Sequence, residues 1–246
     1  VFSGTILKMD ETLEEGELVK VYTHGGNFIG VGHFQIGSIT VRILSFHEVP
    51  IDADFWQSRL KAAVAVREAI GVIRPEESVA ETGETVNTTY RLVHGEGDNL
   101  PGLIVDVYGK TCVLQAHSVG MHVARYEIAD ALRAVMGEKI DSIYYKSETT
   151  LPFKADLGQE NGFLYGDTDN NIAIENGLKF HIDWLKGQKT GFFIDQRENR
   201  SLLEYYAKGR SVLNMFCYTG GFSVYAMRGG AKMVHSVDSS AKAVEL

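Results

Sequence analysis

The stretch 211–238 runs from the apolar pair Val212 and Leu213 into Gly220 and Gly221, then through helix-like residues 224–228 to a second apolar run that ends in Asp238. Glycines between a buried strand and a helix start leave backbone N–H groups uncovered, so a ligand can approach them closely. An acid about twenty residues further on, at the end of the next strand, is placed to accept hydrogen bonds from ribose hydroxyls. The pattern predicts a ligand crevice at the strand ends. A plainer alternative is that the glycines only turn the chain and Asp238 only caps a helix starting at Ser239.

Two ligand classes fit such a crevice: a dinucleotide and S-adenosylmethionine. A pyrophosphate at a helix start usually demands the three-glycine spacing GxGxxG. Here bulky Phe222 follows Gly220 and Gly221 directly, which weakens the dinucleotide reading.

The elements around this segment set its context. Apolar runs at 171–175 and 178–184 flank Asn176-Gly177, a strong two-residue hairpin signal. A helix is expected over 196–207, and 211–238 reads as one β-α-β unit with parallel strands. One such unit does not complete a doubly wound sheet. Upstream, strands at 89–93, 103–107 and 111–117 precede a helix carrying Met121, Ala124, Ile128, Leu132 and Val135, stopped at Gly137, and a strand at 142–146. That β-β-β-α-β order predicts an α+β domain, and the polar, glycine-rich stretch 158–171 reads as the approach to the next unit. Strands at 18–22, 28–34 and 39–44 predict a small β-barrel or meander. After Pro50 a helix is expected, with Asp54 and Gln57 spaced as a capping box and Trp56, Leu60, Ala63, Val64 and Arg67 on one stripe. Gly71 and the polar residues 74–78 mark a break. The expected units are therefore 1–74, 75–170 and 171–246: a multidomain protein of α/β and α+β class.

With 246 residues, 44% of them hydrophobic, the chain can bury a substantial core. Its apolar runs fall far short of the roughly 18 residues of a membrane span, so no membrane partner is expected. Two cysteines, Cys112 and Cys217, cannot form a disulfide framework, no close Cys or Cys/His pairs suggest zinc, and a reducing cytoplasm fits best. A formal charge of −8 argues against a protein that coats nucleic acid unspecifically. No residue set predicts a metal.

The string at 214–223, NMFCYTGGFS, preceded at 187–200 by GQKTGFFIDQRENR, resembles the class I methyltransferases that make 5-methylcytosine in large-subunit ribosomal RNA. The two strings together are more specific than either alone. The likeness extends upstream: VFSG at 1–4 and GSITVRIL at 37–44 resemble that family's PUA domain, and 97–107 resembles its central α+β domain. The resemblance implies a PUA-like β-barrel, a central α+β domain and the start of a Rossmann-like methyltransferase domain, with S-adenosylmethionine as cofactor and ribosomal RNA as partner. It implies that Phe216, Tyr218, Thr219, Gly220, Gly221 and Phe222 form the cofactor loop and that Asp238 is the ribose-binding acid. Asp195, Gln196 and Arg197 then close over the cofactor from the other side. Asp195 and Glu198 also have capping-box spacing, Arg197 could instead be a solvated helix residue, and Phe192 and Phe193 could be core.

Methyl transfer to carbon 5 of cytosine requires a cysteine thiolate to add at carbon 6, because carbon 5 is otherwise a poor nucleophile. In the family that cysteine lies on later strands, so neither Cys112 nor Cys217 is assigned and the nucleophile is expected beyond Leu246. The expectation is thus of a piece of a longer enzyme, trimmed at its start since no initiator Met is present, inactive alone and followed by about five more strand-helix units. An exposed sheet edge would favour self-association, giving a homodimer. Lys8, Lys20, His24, Arg42 and Arg59 are loose candidates for RNA contact. The competing classes are a nicotinamide-dependent oxidoreductase and a non-enzymatic RNA-binding protein.

Overall fold

A computed structural model describes residues 1–74, 86–151, 157–158 and 160–245. Of the expected break at 71–78, only 71–74 lie within the described residues.

The N-terminal unit is an antiparallel sheet of β1 (Leu18–Tyr22), β2 (Phe28–Phe34) and β3 (Val41–Ser45), in that order. A bridge from Phe2 to Ile39 brings the chain start back against it. Helix α1 (Ala53–Ala69) follows. Its cap corrects the sequence expectation: Asp52, not Asp54, accepts a hydrogen bond from Phe55 N at 3.0 Å. The helix begins at Ala53, so Asp54 falls inside the first turn, where an acid faces the positive end of the helix dipole without capping it. Arg67 sits on the buried stripe because it has partners there. Its guanidinium pairs with Asp98 and donates to the Arg91 carbonyl at 3.0 Å.

The central unit is a five-stranded sheet in the order β4 (Thr89–His94), β5 (Leu103–Tyr108), β6 (Thr111–Ala116), β7 (Ser142–Tyr145), β8 (Gly162–Tyr165), with only β6 and β7 parallel. Strand β8 was not expected; Gly162, Phe163 and Tyr165 pair with β7, in a register that shifts between Ile143 and Tyr144, although the surrounding sequence is polar and rich in glycine. The expected helix is two, α2 (Val119–Val123) and α3 (Arg125–Met136), broken at Ala124 and ended by Gly137 at φ 54°. Because side chains alternate along a strand, β5, β6 and β7 feed two cores. Val105, Val107, Cys112, Leu114 and Ile143 join α1 and α3 in the larger one, while Tyr108, Val113 and Tyr144 face the third unit.

The third unit opens with the hairpin β9 (Ile172–Glu175) and β10 (Leu178–His181), turned at Asn176 and Gly177, both with positive φ. Helix α4 (Arg197–Ala207) packs on α5 (Gly221–Arg228), and β11 (Ser211–Met215) pairs in parallel with β12 (Met233–Val237), as the β-α-β pattern predicts. The short α6 (Ala241–Val244) follows. Leu213, Met215 and Met233 are exposed on this two-stranded sheet. No helix among the described residues is long and apolar enough to cross a membrane.

Between the first two units the fit is close. Gly120 lies against the buried His33, so a Cβ there would stand 2.1 Å from the imidazole ring. The Trp56 indole stacks on the same ring and donates to Glu127 at 3.0 Å.

Candidate functional site

At the C-terminal ends of β11 and β12 lies a cavity of about 430 Å³, within the size range of small-molecule sites. One wall is the loop after β11: Phe216, Cys217, Tyr218, Thr219, Gly221 and Phe222. The opposite wall is Gln188, Phe192, Phe193, Gln196 and Arg200, and Asp238 with Ser239 closes the floor. The cavity thus brings together Gln196, Phe216, Tyr218, Thr219, Gly221, Phe222 and Asp238 of the expected residues. Gly220 shapes the loop without lining the cavity; it is the N-cap of α5 at φ 81°, and no side chain caps that helix. With no side-chain cap, the first-turn N–H groups of this helix are left for a ligand at a cavity that Gly221 and Phe222 line.

The loop backbone is unusual. Phe216 and Tyr218 adopt left-handed φ angles of 58° and 51°, ahead of Gly220. Each costs a non-glycine residue of order 1–3 kcal/mol, strain that clusters at ligand-binding loops. The conformation is held from several sides. Cys217 N donates to the Val237 carbonyl at 3.1 Å, and Tyr218 N donates to Asp238 Oδ2 at 2.8 Å. The Tyr218 hydroxyl accepts from Gln188 N at 3.0 Å and donates to the Gly191 carbonyl at 3.3 Å, while its ring meets Phe193 edge-on. Below the loop, Asn214 donates to Ser223 Oγ at 2.9 Å, which in turn lies 2.6 Å from Ser236 Oγ, tying β11, α5 and β12 together.

Asp238 also accepts from Ser240 N at 2.9 Å. The backbone donors of Ser240 and Tyr218 hold its carboxyl below the usual carboxylate range, so it is an anion at neutral pH. The plainer reading of Asp238 as a helix cap is met only in part. Its carboxylate organises the turn before α6, but the side-chain cap of that helix is Ser240. Each carboxylate oxygen retains acceptor capacity for a ligand hydroxyl.

Asp195 and Arg197 stand outside the cavity wall. Asp195 accepts from the Gln196 side chain at 3.0 Å and lies 3.5 Å from Lys189 Nζ; the expected capping box with Glu198 does not form, because 194–196 is a 3-10 turn. Arg197 is no solvated residue. It pairs with Glu175 at 3.2 Å and donates to the Thr89 carbonyl. Glu175, fully buried, also takes two hydrogen bonds from Arg200 at 2.8 Å and one from the Tyr225 hydroxyl at 2.9 Å. Arg200 in turn donates to the Phe193 carbonyl at 3.0 Å and stacks on Phe192, fixing the wall opposite the glycine loop. Gln188, Arg200 and Glu175 were not singled out from sequence. Arg200 lies four residues past Gln196, the N-cap residue of α4, a spacing that sets it over the start of the helix and could have flagged it.

Neither cysteine is an activated nucleophile. Burial pushes the Cys112 thiol up to about 12, and burial with the Asp238 charge nearby raises that of Cys217. Of the basic RNA-contact candidates, Lys8, Lys20 and His24 line one groove of the N-terminal sheet. Lys20 is paired with Glu48 at 2.6 Å, Arg42 donates to Gln35, and Arg59 donates to the Leu44 carbonyl.

These features define an architecture: a three-stranded N-terminal sheet, a central α+β sheet and a β-α-β unit of Rossmann type whose strand ends open into a small-molecule cavity. Residues 162–245 match the family of S-adenosylmethionine-dependent methyltransferases, and residues 1–46 match a PUA-like domain. Among individual proteins, the chain is similar to ribosomal RNA large subunit methyltransferase I of Tolumonas auensis, at 39% identity over 251 residues. It is 38% identical to the protein of that name from Aeromonas hydrophila. Both alignments cover 100% of this chain and 60% of the relative, so the chain spans about 60% of the length of these curated relatives. A solved structure described as a SAM-dependent methyltransferase from Streptococcus mutans superposes with a TM-score of 0.77 at 25% identity, covering 96% of this chain and 58% of that one. Another, described as a methyltransferase complexed with SAH, gives the same values. Neither the nicotinamide nor the non-enzymatic reading is favoured by these matches.

Proposed function

We propose that the cavity between the glycine loop and the Phe192–Arg200 wall binds S-adenosylmethionine, and that the protein methylates ribosomal RNA of the large subunit. The observation that carries the reading is the loop itself: strained residues Phe216 and Tyr218, then Gly220, at the open ends of two parallel strands, with Asp238 anchored beneath. The residues fit the cofactor. Asp238 supplies an anionic acceptor for the ribose hydroxyls, and the start of α5 supplies N–H donors suited to a carboxylate. Phe192, Phe193 and Phe222 offer aromatic surface, and Phe216, 87% exposed, stands at the mouth rather than in the core. A Cβ on Gly221 would stand 3.3 Å from Arg200 Cδ, so a larger residue there requires the pinned Arg200 side chain to give by a few tenths of an ångström.

In this reading Gln196, Phe216, Tyr218, Thr219, Gly221, Phe222 and Asp238 touch the cofactor, and Gly220 shapes their loop. Asp195 and Arg197 act from behind the wall, through Lys189 and Glu175. When bound, the sulfonium supplies an electrophilic methyl group. The target we favour is carbon 5 of a cytosine, on the resemblance of the two motif strings. Burial raises the thiols of Cys112 and Cys217, and neither is assigned the attack on carbon 6. Ribosomal RNA is then the partner and the cytoplasm the site of action.

The test is transfer of labelled methyl from S-adenosylmethionine to unmodified large-subunit ribosomal RNA, run with this chain and with its complete reading frame. Transfer by the longer protein, with the label recovered in 5-methylcytosine, is the expected result. Recovery in another nucleotide overturns the carbon-5 assignment, and no transfer by either overturns the ribosomal RNA reading.

A further inference from the structure

The wall that faces the glycine loop is itself a loop, and its anchor lies in another unit. From 187 to 191 the chain follows an irregular path, with Lys189 and Gly191 at φ 49° and 126°. Four side chains from one face of the central sheet hold it. Asp106 Oδ2 accepts from Thr190 Oγ1 at 2.6 Å, and the Tyr108 hydroxyl lies 2.8 Å from the same Thr190 oxygen. Gln115 donates to the Lys189 carbonyl at 3.4 Å, and Lys146 Nζ donates to the Gly187 carbonyl at 2.6 Å. Asp106 and Thr190 are shut off from solvent, at 0% and 1% exposure. Arg91, the cross-strand neighbour of Asp106, donates to both its oxygens at 2.8 and 2.9 Å.

With the Thr190 proton committed to Asp106, the Tyr108 proton is left for Thr190 Oγ1 at 2.8 Å or the Phe192 carbonyl at 3.4 Å, both on the segment that carries the wall. A buried ionic hydrogen bond of this kind is strong and rigid, and it has no competing partner in water. We infer that Thr190 is a positioning residue of the cofactor cavity, latched by Asp106 of the central domain so that Gln188, Phe192 and Phe193 stand at the correct distance from Tyr218. The inference rests on the cavity being the cofactor site. It gives the central domain a role in building that site rather than only in connecting the units flanking it.

The test compares Thr190→Val, Thr190→Ser and Leu132→Ala in the full chain, reading SAH affinity by titration calorimetry and amide hydrogen exchange of 187–193 without ligand. Thr190→Val removes the hydroxyl and is expected to weaken SAH binding by about tenfold or more, the usual scale for losing a hydrogen bond to a charged group. It should also speed exchange in 187–193. Thr190→Ser restores the donor and should bind within about threefold of the parent, a difference small against the cost of an ionic hydrogen bond. Leu132→Ala, in the core on the other face of the sheet, should lower the unfolding temperature and leave SAH affinity unchanged. Thr190→Val with parental affinity and parental exchange overturns the latch, as does an equal loss of affinity in Leu132→Ala. Should the parent chain itself fail to bind SAH, the cofactor reading falls, and the exchange comparison alone decides whether Asp106 holds the loop.

Discussion

One face of the central sheet sets Val105, Val107, Cys112, Leu114 and Ile143 against α1 and α3, and the other sets Asp106, Tyr108, Val113, Gln115 and Tyr144 against the third unit. Both are buried, but they are assembled from different chemistry. The first is apolar and nondirectional, with each fully buried large side chain contributing roughly 1.5–3 kcal/mol. The second mixes aromatic packing with polar groups whose partners must arrive at fixed distances, because an unmet buried donor or acceptor costs more than a met one contributes. The contrast teaches where stability and where geometry come from: the helix side makes the domain cohere, and the other side dictates where the cavity walls stand.

The sharpest way to break this contrast is at Glu175, which joins two arginines to the cavity wall. Glu175→Ala leaves Arg197 and Arg200 buried without their counter-charge and should cost about 3–5 kcal/mol in denaturant unfolding, together with SAH binding. Leu132→Ala on the helix side should cost about 2–5 kcal/mol of stability. Its cavity should still bind SAH, and a loss of both would erase the distinction between the faces.

His33, in the interface between the first two units, extends the comparison to pH. Burial lowers its pKa from 6.5 to about 4. In the unfolded chain it takes up a proton near 6.5, whereas the folded protein resists until about 4. Its contribution is therefore complete above pH 6.5 and lost progressively as pH falls towards 4, by about 3 kcal/mol in all. Unfolding curves of His33→Gln should show that much less pH dependence over the same window.

Asp238→Ala addresses the cavity and its loop. SAH affinity should fall about tenfold or more, consistent with the loss of ionic hydrogen bonds to ligand hydroxyls, and the unfolding midpoint should fall modestly because Tyr218 N and Ser240 N lose their acceptor. Since backbone donors lower the Asp238 pKa, affinity in the parent should persist as pH drops to the ordinary carboxylate range and weaken only below it. The smallest effect is expected at the exposed Lys20–Glu48 pair, where Lys20→Ala should change stability by no more than about 1 kcal/mol. A larger loss would mean that the N-terminal sheet relies on directional surface contacts after all.

Much of the architecture was legible because its signals are local. Asn176-Gly177 turned as its positive φ preference requires, Gly137 ended α3, and 211–238 folded as the β-α-β unit that its apolar runs and glycines specify. The misses also have physical reasons. Asp52 and Asp54 are both plausible caps, and only the start of the first helical turn at Ala53 separates them. Strand β8 pairs with β7 despite a polar context, because cross-strand hydrogen bonds and the Tyr144–Phe163 contact outweigh its weak pattern.

Within the site the same division holds. The sequence alone determined the glycine loop, the acid at the end of the following strand and the strand-helix-strand frame that joins them, since all lie within 28 residues, from Ser211 to Asp238, and depend on backbone preferences. The motif resemblance already set 195–197 opposite, and only the tertiary structure decided that Gln196 lines the cavity while Asp195 and Arg197 do not, and what holds that wall. Arg200 meets Glu175 across 25 residues, and Thr190 meets Asp106 across 84. Such pairs leave no periodic trace in sequence; they form because a charge or hydroxyl taken out of water must find its partner wherever the fold presents one.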